Sequence, residues 1–279
     1  MARRARVSPR AAASGLIPAD LEATLVLVRH GESTWIVEHR FQGRGDPALS
    51  PRGRQQAALV GARLAAPLSP PALPVPAGPP LGIWHSPLRR AAETAEAIAG
   101  AMAERGGAAP PLVPQDGLTE IAQGAWEGLP ASEVEAGWGP RLAGWRRDPT
   151  HVHAPQGESL RDADRRVSDG LGAVITALGA GPSGPASGGP RTFVPGYGAG
   201  PATHPWAVVV AHDGVFRLAL LRLLGIPRSH FWSVPFVLAG VSVVELRDGL
   251  AVLRAHGLDA HLAALDGQAE DERARPGAL

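Results

Sequence analysis

Two apolar runs in this chain end on a histidine. The run 24–28 leads into Arg29-His30, and the run 207–211 leads into His212-Asp213; a third, 81–84, ends in His85-Ser86. Each is followed by a residue that turns the chain or starts a helix: Gly31, Pro87 and Gly214. A planar guanidinium fork matches phosphate oxygens and keeps its charge at physiological pH. A neutral imidazole can attack phosphorus. Histidines and arginines delivered to one edge therefore point to a phosphate site that carries its own nucleophile.

Strands and helices must bring these groups together. The apolar runs, joined by 241–246 and a weaker pair at Leu112-Val113, alternate with Ala-rich segments of helical spacing at 52–65, 88–103, 159–178 and 215–224. Consecutive apolar positions such as Val208-Val209-Val210 suit strands covered by helices on both faces. The pattern predicts an α/β fold, a three-layer α/β/α sandwich with a mostly parallel sheet. In such sheets the ligand site lies beyond the carboxyl ends of the strands. One domain over residues 23–262 is expected, with Pro/Gly-rich surface insertions at 67–80 and 181–205, and flexible tails at 1–22 and 263–279.

Composition excludes several chemistries. A formal net charge of +1 over 279 residues leaves no electrostatic footprint for nucleic acid or an anionic membrane. The absence of cysteine removes disulfides, zinc thiolates and a cysteine nucleophile. All 27 basic residues are arginine, so a Walker lysine and a Schiff-base lysine are also excluded. Neither a membrane-length apolar run nor a secretory h-region is visible, and a cytoplasmic protein is expected. His151-Val152-His153 has metal-binding spacing without a third ligand nearby, which reads as an exposed loop.

Arg29-His30-Gly31-Glu32-Ser33 resembles the RHG signature of the histidine phosphatase superfamily, in the branch that contains phosphoglycerate mutase-like enzymes. Further segments match in the family's order: Phe41-Gln42-Gly43 with Asp46, Ser86-Pro87-Leu88-Arg89-Arg90-Ala91, Leu118-Thr119-Glu120 with Trp126-Glu127-Gly128, Gly157-Glu158-Ser159, and Ala211-His212-Asp213-Gly214. The resemblance implies His30 as nucleophile and Glu120 as general acid and base. Arg29, Arg90 and a protonated His212 would bind phosphate, with Ser33, Gln42 and Gly43 as substrate-binding residues. It implies no metal, no cofactor and a small phosphorylated substrate, and it allows a homodimer. Glu120 must hold a proton near neutrality; desolvation favours that and arginines oppose it. Arg89 is expected to pair with Glu93 on an exposed face, and Glu127 to serve loop structure.

Two positions depart from the pattern. Ile36 stands where the family often has an asparagine, which removes a neutral donor. Asp213 stands where glycine is frequent, and either caps the following helix or sets a carboxylate beside the phosphate. The expected function is phosphomonoester hydrolysis through a phosphohistidine. The alternatives are phosphoglycerate mutase-type transfer and a non-catalytic domain that binds phosphorylated ligands. Specificity is expected from 129–156, where Trp138, Arg141, Trp145, Arg146 and Arg147 suit a second anionic group or a sugar ring unless the tryptophans pack as core. The insertion at 181–205 is a second candidate.

Overall fold

The computed structural model describes residues 15–181 and 204–268. Strands β1 (Ala23–Arg29), β2 (Ile83–His85), β3 (Leu112–Pro114), β4 (Trp206–Ala211), β5 (Val241–Arg247) and β6 (Leu250–Leu258) form one sheet in the order β3-β2-β4-β1-β5-β6. The first four in that order run parallel; β5 is antiparallel to β1 and β6 to β5. The helices are α1 (Thr34–Val37), α2 (Pro51–Ala65), α3 (Arg89–Glu104), α4 (Ala131–Arg147), α5 (Leu160–Ala180) and α6 (Asp213–Leu223).

Consecutive apolar residues in β1 and β4 go to opposite faces, because side chains alternate along a strand. Val26, Val28, Val208 and Val210 pack with Val60 and Leu64 of α2 and with Ala95 and Ile98 of α3. Leu25, Leu27, Ala207 and Val209 pack with α5 and α6 through Val167, Leu171, Val215 and Leu218. Burying each such Val or Leu contributes about 1.5–3 kcal/mol. The α/β/α sandwich expected from the sequence is therefore present. It has an antiparallel margin that the apolar runs did not announce.

Several segments differ from expectation. Ile17 and Leu21, placed in the N-terminal tail, are buried in the α5/α6 core. Leu73 and Val75 of the first insertion are buried against α2 and α3, so that insertion docks on the sandwich. Residues 1–14, 182–203 and 269–279, which hold much of the expected tails and most of the second insertion, lie outside the described residues. The expected C-terminal tail begins inside a run of 3-10 turns, Ala260–Gln268. Helix α4 went unrecognised because Gly137, Gly139 and Pro140 interrupt its pattern; the helix kinks at Trp138. Strand β6 was missed as well, although Asp248-Gly249, both at positive φ, is a hairpin signal. No described helix is long and apolar enough to cross a membrane.

The loop after β1 is pressed onto the first turn of α2. Ser50 caps that helix through Gly53 N–H at 2.9 Å, its backbone N–H donates to Glu32 O, and its hydroxyl donates to the Glu32 carboxylate at 2.6 Å. A Cβ on Gly53 would overlap the Glu32 carbonyl, and one on Gly31 would overlap the Gly53 carbonyl. Neither close neighbour is a flexible side chain that can swing away. Gly53→Ala is therefore expected to destabilise the protein by about 1–3 kcal/mol, as overpacking does, read as a lower urea midpoint with an unchanged m-value.

Candidate active site

The carboxyl ends of β1, β2 and β4 converge, and the side chains marked in the sequence meet there. His30 is buried, and its Nδ1 lies 2.6 Å from the carbonyl of Gly31. A carbonyl can only accept, so Nδ1 carries the proton and Nε2 is left bare. Arg90 is also buried and donates from Nε toward that bare nitrogen at 3.3 Å. Its remaining edges donate to the carbonyls of Gly43 at 2.8 Å and Gly45 at 2.7 Å. Three separate partners thus fix the guanidinium plane.

The ring of His212 meets that of His30 edge-on, with centroids 5.0 Å apart. Its Nε2 lies 2.8 Å from the Ser86 hydroxyl, which already accepts the Leu88 N–H. Donating its own proton to Nε2 satisfies that hydroxyl and leaves the imidazole proton on Nδ1. This Nδ1 is buried and has no hydrogen-bond partner among the described residues; the same holds for Nε of Arg29, whose terminal nitrogen donates to Phe236 O at 2.7 Å. Buried donors without acceptors are rare in native proteins. Two of them beside the His30 ring suit an anion with several acceptor oxygens.

Electrostatics sort the protons. Burial pushes His30 well below the ordinary histidine value, helped by the charges of Arg90 and Arg29 and opposed by the Gly31 carbonyl. His212 is likewise held well below it by burial, then by Arg90, His30 and the other arginines. In the anion-free site burial therefore favours a neutral His212, with its proton on Nδ1. Arg90 is lowered by burial to about 10 and stays charged. Glu120 is raised by burial, against the N–H groups of Ile121 and Gly214 and the charge of Arg90. Desolvation thus outweighs Arg90 and the two N–H donors.

Other expected residues serve the framework. The Ser33 hydroxyl donates to the Gln42 side-chain oxygen at 2.6 Å and caps α1 through Ile36 N–H, so it is committed inside the protein. Gly43, at positive φ, offers its carbonyl to Arg90, and Gln42 is buried beside it. Glu127 accepts from the N–H groups of Arg44 and Gln123, tying the 42–45 loop to the segment after Glu120, as a loop-structure role predicts. Arg89 pairs with Glu93 at 3.3 Å on an exposed face, as expected. Asp213 does not cap α6 as foreseen, while its charge bears on Glu120. It is the first residue of α6, and its carboxylate accepts from Phe236 N–H at 3.0 Å and pairs with Arg217 at 2.9 Å.

Sequence reasoning gave no role to Arg166. It grips Glu158 with two nitrogens and donates to the carbonyls of Gly117 and Thr119, so α5 holds the segment that carries Glu120. Gly117 and Gly170 touch backbone to backbone at this crossing. Ser86 and Thr94 were also without roles; Thr94 accepts the Gly31 N–H and steadies the signature loop.

Comparison with known proteins agrees with this geometry. The family model "Histidine phosphatase superfamily (branch 1)" matches residues 25–181 and 199–259. The chain belongs to this superfamily. Phosphoserine phosphatase 1 of Hydrogenobacter thermophilus is 31% identical over 85% of this chain and 93% of its own length. The 2,3-bisphosphoglycerate-dependent phosphoglycerate mutase of Bartonella quintana is 37% identical over 52% of this chain, a match that spans 64% of the mutase. Among solved structures, YhfR of Bacillus stearothermophilus superposes with a TM-score of 0.65 at 28% identity, covering 86% of this chain and 99% of that one. A mycobacterial glucosyl-3-phosphoglycerate phosphatase gives 0.63 at 25% identity, covering 86% and 100%.

In this histidine phosphatase the segment expected to set specificity is partly core. Trp145 is buried among Phe231 and Trp232, and Trp138 packs against the same cluster. Arg141 donates to the His153 carbonyl, while Arg146 and Arg147 are exposed. Imidazole 15N NMR of the anion-free protein is expected to show His30 neutral at pH 6, with its proton on Nδ1. Added inorganic phosphate should raise the pKa of His30, because a dianion favours the charged ring. A ring that titrates at the unperturbed value of about 6.5 in the anion-free protein, or a pKa that phosphate leaves unchanged, contradicts this assignment.

Proposed function

We propose that this histidine phosphatase hydrolyses a small phosphate monoester without a metal ion, by way of a phosphohistidine on His30. The observation that carries the reading is the bare Nε2 of His30, oriented by the Gly31 carbonyl and set beside two buried donors that lack acceptors. Nε2 forms a bond to phosphorus as the ester P–O bond breaks, and Glu120 gives its proton to the leaving oxygen. Water then attacks phosphorus, the P–N bond breaks, and Glu120 takes the water's proton. Arg29, Arg90 and the Nδ1–H of His212 receive the equatorial oxygens; phosphoryl transfer demands mainly such positioning and charge neutralisation.

Hydrolysis is favoured over mutase transfer by the extent of the likenesses. The phosphoserine phosphatase relative matches along most of both chains, whereas the Bartonella mutase matches along about half of this one. A substrate screen should therefore include phosphoserine and glucosyl-3-phosphoglycerate, with 3-phosphoglycerate plus 2,3-bisphosphoglycerate to detect transfer between substrates.

p-Nitrophenyl phosphate is expected to turn over undiminished in EDTA, and chelator-sensitive turnover would contradict the mechanism. His30→Ala should fold and lose at least roughly a thousandfold in kcat. Glu120→Gln separates the two chemical steps. With p-nitrophenyl phosphate, whose leaving group needs little protonation, it should give a burst of p-nitrophenolate followed by slow turnover. With an alkyl phosphate the burst should be lost and the rate fall about 10²–10⁴-fold. Equal losses on both substrates would remove Glu120 from the acid role.

A further inference from the structure

Arg29 lies at the end of β1, and the direction of its guanidinium is set from another part of the molecule. Its terminal nitrogen donates to Phe236 O at 2.7 Å. The N–H of that same Phe236 donates to Asp213 at 3.0 Å, and the other Asp213 oxygen pairs with Arg217 at 2.9 Å. Arg217 in turn donates to Phe231 O at 3.0 Å and lies over the rings of Phe231 and Trp232 at 5.6 and 5.2 Å. The pair therefore grips the 231–236 segment at both ends. Both side chains are buried.

We propose that the Asp213–Arg217 ion pair is a positioning device for Arg29, acting through Phe236 to aim the unpartnered edge of the guanidinium at the phosphoryl group. Asp213 and Arg217 are positioning residues and touch no substrate. The two lie four apart on α6, so one helical turn presents the carboxylate and the guanidinium together. Both carboxylate oxygens are occupied inside the protein, one by the Phe236 N–H and the other by Arg217. The consequence is geometric. Arg29 has several rotatable bonds and would sample many orientations; a carbonyl fixed at 2.7 Å leaves its Nε on one side. Preorganised donors of this kind need no rearrangement as charge develops.

The inference rests on the phosphate-binding role proposed above for Arg29, and a double-mutant cycle distinguishes the failure of one from the failure of the other. Binding of inorganic phosphate, which requires no turnover, is measured for wild type, Asp213→Asn, Arg29→Met and the double variant, each shown by circular dichroism to be folded. Asp213→Asn retains an oxygen for Phe236 N–H and removes the charge that holds Arg217. It is expected to weaken phosphate roughly tenfold in the wild-type background and less than about twofold beside Arg29→Met, the non-additivity of coupled sites.

Equal weakening in both backgrounds, or none in wild type, overturns the positioning role. If Arg29→Met alone leaves phosphate affinity unchanged, the assignment of Arg29 itself is overturned. Removing one member of a buried ion pair is costly, so Arg217→Lys supplies a second arm. It keeps the charge opposite Asp213 and loses the fork that reaches Phe231. Partial weakening, again absent beside Arg29→Met, is expected; unchanged affinity would count against the grip on Phe231.

Discussion

A guanidinium with no exposed surface lies against the bare ring nitrogen of a histidine, and the rest of the site follows from the cost of keeping it there. Removing an ion from water costs several kcal/mol unless fixed partners replace the solvent. Arg90 finds two of them in the Gly43 and Gly45 carbonyls, which is why the 42–45 loop has to bend through positive φ at Gly43. Asp46 and Glu127 balance its charge at longer range. These acids have second duties: Asp46 accepts the first N–H of α3, and Glu127 ties the 42–45 loop to the chain beyond Glu120. Charge balance and loop geometry are thus carried by the same side chains.

The sheet explains why these groups share one edge. Strands β1, β2 and β4 are parallel neighbours, so their carboxyl ends emerge side by side and deliver Arg29-His30, Ser86 and His212 within reach of one another. Packing on both faces leaves the strands little freedom to shift register. A slip of one residue would exchange the α2/α3 face for the α5/α6 face along the whole strand. The apolar alternation that stabilises the sandwich therefore also sets the distance between the two imidazoles. Glu120 comes from outside the sheet and needs its own support, which Arg166 of α5 supplies while it grips Glu158 just before that helix.

Much of this was legible in the sequence, for physical reasons that differ by element. Strands buried on both faces print continuous apolar runs, and the helices beside them print a 3.6-residue period, so the sandwich and the positions of His30 and His212 could be read directly. Helix α4 hides behind glycines and a proline because a kinked helix breaks its own period at Trp138. Ile17 and Leu21 looked like tail because two isolated apolar residues carry no period at all, yet the core has room for both. At the site, residues whose type is demanded by chemistry were visible, whereas those acting through backbone atoms were not. No local pattern states that the Gly45 carbonyl will face Arg90. Asp213 was misjudged for the same reason: its main-chain partner, Phe236, is distant in sequence, although the spacing to Arg217 was a signal within reach.

The protonation states answer a question that the residue list alone leaves open. In water a carboxyl group, with a pKa near 4.3, surrenders its proton long before an imidazole near 6.5 does. A nucleophilic histidine beside an acidic glutamate needs the reverse, the proton on oxygen and the lone pair free on nitrogen. Both groups are buried, and burial acts on each against its charged form, lowering His30 and raising Glu120. Arg90 opposes the second shift while reinforcing the first, so the glutamate depends on dryness more than the histidine does. In the proposed mechanism, water reaching Glu120 would remove the desolvation that keeps the carboxyl protonated, and the acid would be lost. That asymmetry gives the close packing of α5 behind the Glu120 segment a chemical consequence as well as a structural one.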